Sequence, residues 1–189
     1  MKNTTSVLKI LALVTGLLVA TACNPIEKSA KSNSMLIIDS IKGTLSDGTT
    51  VALILESDVS AVKSDVATVT MHAALLDPGS INGPSQYNDI TLTGYRINYT
   101  LPDGTGVAGT DVPNPLTGTA SSLLVKVDAS VAIDLIAVLQ AAKSAAPLAA
   151  LVGTANQLQI LAKITMQGQD ATGHTVEATG QLTIIFADY

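Results

Sequence analysis

The sequence predicts a mainly β fold, a sandwich of about seven short strands interrupted by one helix. Most segments after residue 35 are short and rich in Val, Ile, Leu and Thr, and they alternate apolar with polar residues as half-buried strands do. Asp-Gly, Pro-Gly and Asn-Gly pairs separate these segments and mark turns. The chain has 1 cysteine, so it has no disulfide framework, and its stability depends on a core that the 47% of apolar residues supply.

The first segment of the chain indicates an export signal. Lys2 and Lys9 form a positive region, residues 10–20 are apolar, and small residues follow up to Cys23. A helix that spans a membrane needs about 20 apolar residues, so this stretch is too short to stay in the bilayer as protein. The order of positive, apolar and small regions is that of a secretory signal peptide.

The residues that end at the cysteine resemble the lipobox of bacterial lipoproteins. Residues 18–23 are Leu-Val-Ala-Thr-Ala-Cys, and Ala20 stands where Leu, Val or Ile is usual. The resemblance implies that residues 1–22 are a lipoprotein signal peptide and that acyl chains on Cys23 attach the protein to a membrane. Two or three such chains hold a protein firmly, whereas one holds it only marginally. Asn24, which is not an acid, favours the outer membrane by analogy with the enterobacterial sorting rule.

Charge and composition disfavour several classes of partner. Without residues 1–22 the chain keeps 8 basic and 15 acidic residues, a net charge of −7. Nucleic acid is therefore not expected as a partner, because its phosphates are bound by clustered Lys and Arg. Aromatic residues make up only 3% of the chain and Trp is absent, which disfavours a module that stacks bases or sugars.

The strands begin after a flexible tether. Residues 23–35 lack periodicity and are rich in Ser, Lys and Asn, so the folded domain is expected at residues 36–189. The apolar residues are even-numbered before Gly94 and odd-numbered after it, and this shift of one residue predicts a β-bulge at Gly94. The predicted strands are residues 36–45, 51–55, 67–75, 90–101, 123–127, 158–167 and 176–186.

The last two of these strands are predicted to form a hairpin. Even-numbered residues are apolar on both arms, so the loop between them needs an odd number of residues to keep both apolar sets on one face. Residues 171–173 satisfy this condition, with Asp170 opening a turn and Gly173 free to adopt a left-handed conformation. Leu161 and Ile185 are apolar exceptions on the polar face and are candidates to dock either the helix or a partner.

The helix is predicted at residues 130–146. Its apolar stripe includes Val131, Leu135 and Leu139, whereas Lys143 lies on the opposite, polar arc. A stripe of this size must be buried, so we expect the helix to dock either across an open end of the sandwich or onto an outer sheet face.

One run resembles a known domain family. Residues 95–104, Tyr-Arg-Ile-Asn-Tyr-Thr-Leu-Pro-Asp-Gly, followed by the closing hairpin, resemble the middle and final strands of immunoglobulin-like and fibronectin type III-like domains. The resemblance implies an immunoglobulin-like antiparallel sandwich that serves as a binding or spacer module.

No residue pattern in the sequence indicates catalysis. His72 and His174 lack the spacing of a metal site, and there is no Gly-x-Ser-x-Gly nucleophile elbow. We therefore expect no catalytic residue, no metal and no cofactor. The long irregular loop at residues 104–118 is either a contact surface or a solvated crossover between sheets.

Two functions fit these observations. The first is a non-enzymatic envelope lipoprotein, displayed on a bacterial membrane through Cys23, that binds or scaffolds another envelope or surface protein. The alternative is a carrier of an apolar ligand in a cavity between the helix and the sandwich, which would need several hundred Å³ of apolar space.

Overall fold

The structure is a computed structural model that describes residues 32–79, 81, 83–120 and 122–189. The signal peptide predicted at residues 1–22, Cys23 and the tether predicted at residues 23–35 as far as residue 31 lie outside the described residues. The strands are β1 Ser34–Thr44, β2 Thr50–Ala52, β3 Ile54–Asp58, β4 Asp65–Leu75, β5 Ile90–Thr100, β6 Leu116–Thr119, β7 Leu124–Val125, β8 Val131–Val138, β9 Leu158–Asp170 and β10 Thr175–Ala187. A short helix, α1, covers Gln140–Lys143, and single 3₁₀ turns cover Gln86–Asn88 and Leu148–Leu151.

The strands form two sheets, which confirms the mainly β prediction. One sheet has four strands in the order β2-β1-β4-β8, and the other has six, in the order β3-β10-β9-β5-β6 with β7 also paired to β5. The described residues thus contain ten strands where the sequence indicated about seven. The sequence predicted antiparallel strands throughout, but one pair of strands differs: β3 runs parallel to β10.

The predicted hairpin and bulge are both present. β9 pairs with β10 from Gln169 opposite Thr175 onward, and the even-numbered residues of the paired arms face the core. Gly173 adopts a φ of 84°, as the turn requires. In β5 the pairing with β9 shifts between Leu92 and Gly94, so that the buried phase changes as the sequence indicated.

The helix predicted at residues 130–146 is wrong. Residues 131–138 are strand β8, which pairs antiparallel with β4, and only Gln140–Lys143 is α-helical. Four of the eight residues in β8 are Val or Ile, whose branched side chains favour a pleated strand. The apolar residues of this segment fit a helical stripe and a period of two at the same time, and pairing with β4 selects the strand.

The side chains after β8 are buried in the reverse of the expected order. Leu139 was expected in the core, yet it is 40% exposed. Lys143 was expected on the solvent side, yet it is only 2% exposed. Its ammonium lies 2.9 Å from the Asp65 carboxylate and donates a hydrogen bond of 2.9 Å to the Asp58 carbonyl.

The core fills the space between the two sheets, and Leu53 joins them at one edge. The Leu53 N–H donates to the Ile41 carbonyl in one sheet, and its carbonyl accepts from the Thr183 N–H in the other, each at 2.9 Å. Leu53 has a φ of 62°, a left-handed conformation that is costly for a residue with a Cβ. The chain thus crosses between the sheets at a single strained residue between β2 and β3.

Candidate binding face

An open polar cleft lies on the outer face of the four-stranded sheet. It has a volume of about 410 Å³ and is lined by Asp39, Thr70, His72, Asp128 and Ser130. In β4 the alternate residues Val69 and Met71 are fully buried, which directs Thr70 and His72 outward. Asp39 lies at a bulge of β1, where the pairing with β4 shifts between Ile38 and Ser40.

Asp39 is the central hydrogen-bonding group of this cleft. One of its oxygens lies 2.7 Å from Nδ1 of His72, and the other accepts a 3.4 Å hydrogen bond from the Ser130 hydroxyl. In a nucleophilic relay the histidine lies between the serine and the carboxylate. Here the Asp39 carboxylate lies between His72 and Ser130 and accepts hydrogen bonds from both. This geometry does not place His72 to deprotonate the Ser130 hydroxyl.

The lining is suited to a ligand group that donates hydrogen bonds. Asp128 adds a second carboxylate, and its left-handed φ of 60° and its N–H, 3.1 Å from the Ala73 carbonyl, fix the turn that precedes β8. Within the described residues no three His, Cys, Asp or Glu side chains are placed to hold a metal ion. A lysine or arginine side chain of a partner protein has the charge and the donors that two carboxylates attract.

Strand β8 begins beside the cleft and is the edge of its sheet. β4 pairs with one side of β8, and no strand of the described part of the chain pairs with the other. The exposed, cross-strand neighbours Val66 and Ile136 add an apolar patch on the outer face. An edge strand with an uncovered row of backbone groups is a site where another chain can add a strand.

Two tyrosines of β5 cover only the C-terminal part of this edge. The Tyr95 hydroxyl donates to the Ile136 carbonyl at 3.3 Å and accepts from the Ile136 N–H at 3.2 Å. The Tyr99 hydroxyl donates to the Ala137 carbonyl at 2.8 Å, and burial raises the pKa of Tyr99, which keeps this donor protonated. A Cβ at Gly118 would collide with the Tyr95 ring, so glycine makes room for this contact.

Among the described residues, no side chain hydrogen-bonds to the backbone of Ala132 or Asp134 in the N-terminal part of this edge as Tyr95 and Tyr99 do further along. Backbone groups along a strand point alternately to its two sides, so the N–H and carbonyl groups of Ala132 and Asp134 point the same way as those of Ile136. The side chains of Ala132 and Asp134 are exposed. The cleft and this free edge therefore form one continuous surface, which we call the binding face.

The structure places the residues singled out by sequence in separate surroundings. His72 lies in the cleft, whereas His174 contacts the Thr172 hydroxyl at 2.7 Å and the Asp170 carboxylate at 3.4 Å in the β9–β10 turn. Leu161 and Ile185 are diagonal neighbours on the outer face of the six-stranded sheet, because Leu161 lies opposite Thr183.

The loop at residues 104–118 is partly ordered by its own contacts. The Asp111 carboxylate accepts a 2.9 Å hydrogen bond from the Val107 N–H, and Val112 is buried in the core. Its first part connects β5 to β6, which pair in one sheet, so it is not a crossover between sheets. Its role as a contact surface stays a prediction.

Sequence reasoning did not single out Asp39 as a site residue, and it considered Asp128 and Ser130 only as caps of the predicted helix. The one available signal was the position of Asp39 inside an apolar run, between Ile38 and the residues Ser40-Ile41. An acidic residue in such a run indicates either a turn or a β-bulge, where the alternation of inward and outward side chains shifts by one residue. Here it lies at the bulge of β1.

Comparisons with known proteins place the chain in no family. No family model matches the sequence, and no curated protein is significantly similar to it. Among the described residues, no helix combines the length and the apolar character needed to cross a membrane.

Proposed function

We propose that this chain is a non-enzymatic lipoprotein of a bacterial envelope, in the outer membrane, whose domain binds another envelope or surface protein. The acyl chains on Cys23 supply the attachment, and the sequence of residues 18–23 supports it. The observation that carries the binding role is the binding face, a polar cleft continuous with an unpaired strand edge.

The partner adds an extended segment along the free side of β8. Main-chain hydrogen bonds to Ala132 and Asp134 give affinity in this mode of recognition, and side-chain pockets give specificity. The Asp39 and Asp128 carboxylates select a basic side chain at the end of that segment. The net charge of the whole chain, −5, also favours a basic partner surface.

We also propose that the domain is a variant of the immunoglobulin-like sandwich. Support comes from β5, β9 and β10, which lie side by side in one sheet, and from β1, β4 and β8 in the other. The parallel pairing of β3 with β10 distinguishes this variant from the all-antiparallel pattern expected from the sequence.

The alternative of an apolar-ligand carrier has less support. It was based on a helix at residues 130–146 above a cavity, and this segment contains β8 instead. The inward residues Leu135, Ala137 and Val138 are buried in the core cluster between the sheets.

Site-specific photo-crosslinking in the native envelope tests the binding role. A photoreactive residue at Ala132, on the free edge, is compared with one at Gln181, an exposed residue on the outer face of the other sheet. We expect a discrete adduct from position 132 and none from position 181. Asp39→Asn should weaken the adduct, because it removes one of the two carboxylates that select the partner's basic side chain. The same adduct from both positions, or none from 132, would contradict the binding role.

A further inference from the structure

The point where the chain enters the domain is held at one end of the sandwich. Ser32 and Ser34 are both buried, and the Ser34 N–H donates a 3.1 Å hydrogen bond to the Ser32 hydroxyl. The Ser32 hydroxyl in turn donates to the Asp170 carboxylate at the β9–β10 turn. Ser34 pairs with Leu75 at the last position of β4. The direction from which the preceding residues arrive is therefore fixed relative to the sheets.

Exposed apolar side chains lie at this same end. Leu76 follows β4, and its N–H donates to the Asn33 carbonyl at 3.0 Å. Leu124 pairs with Thr91, next to the Ile90 position that faces Asp170. We call this set the entry end: Leu76, Ile81, Tyr87 and Leu124, of which Ile81 is fully exposed and Tyr87 is 68% exposed.

The described residues of the entry end carry no cluster of positive charge: Lys126, after Leu124, is a single basic residue there. Residues 76–90 contain Asp77 and Asp89 and no Lys or Arg. Attraction to anionic headgroups therefore does not bring this surface to a membrane, and contact would rest on the apolar and aromatic side chains. An exposed tyrosine suits the boundary between headgroups and acyl chains, where its ring is buried and its hydroxyl stays hydrated.

We infer that the entry end rests on the bilayer that holds the acyl chains of Cys23, with Ile81 and Tyr87 in the interface. This inference depends on the lipid attachment proposed above. The chain from Cys23 to Ser32 covers 9 residue steps, which reach roughly 30 Å when fully extended. The tether thus keeps the entry end close to the lipid. The opposite end is separated from it by the length of 11-residue strands, roughly 35 Å.

Single tryptophans test this orientation, since the chain contains 0 Trp. Tyr87→Trp reports on the entry end, and Val107→Trp, at a site 63% exposed at the opposite end, is the matched control. The full chain is produced in a bacterium, purified with its acyl chains and reconstituted into phosphatidylcholine vesicles with brominated acyl chains. We expect the emission of Trp at position 87 to shift to the blue and fall by about twofold or more on contact with the brominated chains. The emission at position 107 should not change.

A second pair of variants links the signal to the apolar contact. In the Tyr87→Trp background, Ile81→Asp should reverse the quenching, because a carboxylate at that site opposes insertion. Val62→Asp, an equivalent change at the opposite end, should leave the quenching intact.

Flotation of the same vesicles separates two kinds of failure. If the protein floats with the vesicles and position 87 is not quenched, or both positions are quenched alike, the orientation is wrong while lipid attachment stands. If the protein does not float and Cys23 is unmodified, the attachment and the orientation are both wrong.

Discussion

At the residue scale, Lys143 stabilises the corner where α1, β3 and β4 meet. Its ammonium, almost completely buried, lies 2.9 Å from an Asp65 oxygen and donates to the Asp58 carbonyl. The Ser57 hydroxyl donates a 2.6 Å hydrogen bond to the same Asp65 oxygen. A third group thus supports the charge pair, and removing Lys143 leaves the largely buried Asp65 carboxylate with the Ser57 hydroxyl but without its opposite charge.

We predict that Lys143→Met lowers the free energy of unfolding by about 3–5 kcal/mol, because it leaves the Asp65 carboxylate unpaired in a buried site. Lys163→Met, at an exposed position of β9, should change it by less than about 0.5 kcal/mol. Urea unfolding of both variants gives the comparison. Equal effects would show that the Lys143 pair contributes nothing.

Asp170 makes the stability depend on pH. Burial acts to raise the pKa of its carboxyl, but hydrogen bonds from Thr172, Ser32 and His174 outweigh burial and lower the pKa from 3.8 to about 2. A carboxyl with a lowered pKa in the folded state contributes stability above its unfolded pKa, and this contribution disappears as pH falls through the folded pKa.

The parent protein should therefore lose roughly 1 to 2 kcal/mol of stability between about pH 4 and pH 2 through this one group. The Asp170→Asn variant should be less stable than the parent at neutral pH. It should not show the loss of stability that protonation of Asp170 causes in the parent. Melting temperatures measured across this pH range test the prediction. Parallel curves for parent and variant would count against it.

At the element scale, β8 is the strand that determines the binding face. Its inner side packs in the core, its outer side continues the cleft, and Tyr95 and Tyr99 hold its C-terminal part. The same residues on a helix would not present an edge. The strand assignment at residues 131–138 is therefore the structural feature on which the proposed binding mode depends.

We predict that Leu135→Ala, at a buried position of β8, lowers the free energy of unfolding by about 2–5 kcal/mol. Leu139→Asp places its charge at a partly exposed position after the strand and should cost less than about 1 kcal/mol. Denaturant unfolding of the two variants ranks them. A larger loss for Leu139→Asp would support the helix and contradict β8.

Local patterns predicted the elements that depend on neighbours in sequence. The β9–β10 hairpin follows from period-two alternation and a short turn, and the bulge at Gly94 follows from a shift in that alternation. The β8 segment was ambiguous because its apolar residues fit two periods, and only pairing with β4 resolves the ambiguity. The cleft was not predictable, since Asp39 and Ser130 are 91 residues apart and meet only after β1, β4 and β8 form a sheet.

At the scale of the whole molecule, the entry end and the binding face lie on different parts of the domain. We propose that the entry end faces the lipid, whereas the binding face lies along the side of the sandwich, where β8 leads away from the entry end. A partner that adds a strand to β8 would then lie beside the domain and approach the membrane at the cleft. This arrangement depends on attachment through Cys23, which is the central claim.

Mass spectrometry of the protein isolated from bacterial membranes tests that claim most directly. We predict that the mature chain begins at Cys23, that this residue carries a diacylglycerol and an additional acyl chain, and that Cys23→Ser gives a soluble or uncleaved product. A membrane-bound chain that begins at Met1, or one in which Cys23 is unmodified, would contradict the account.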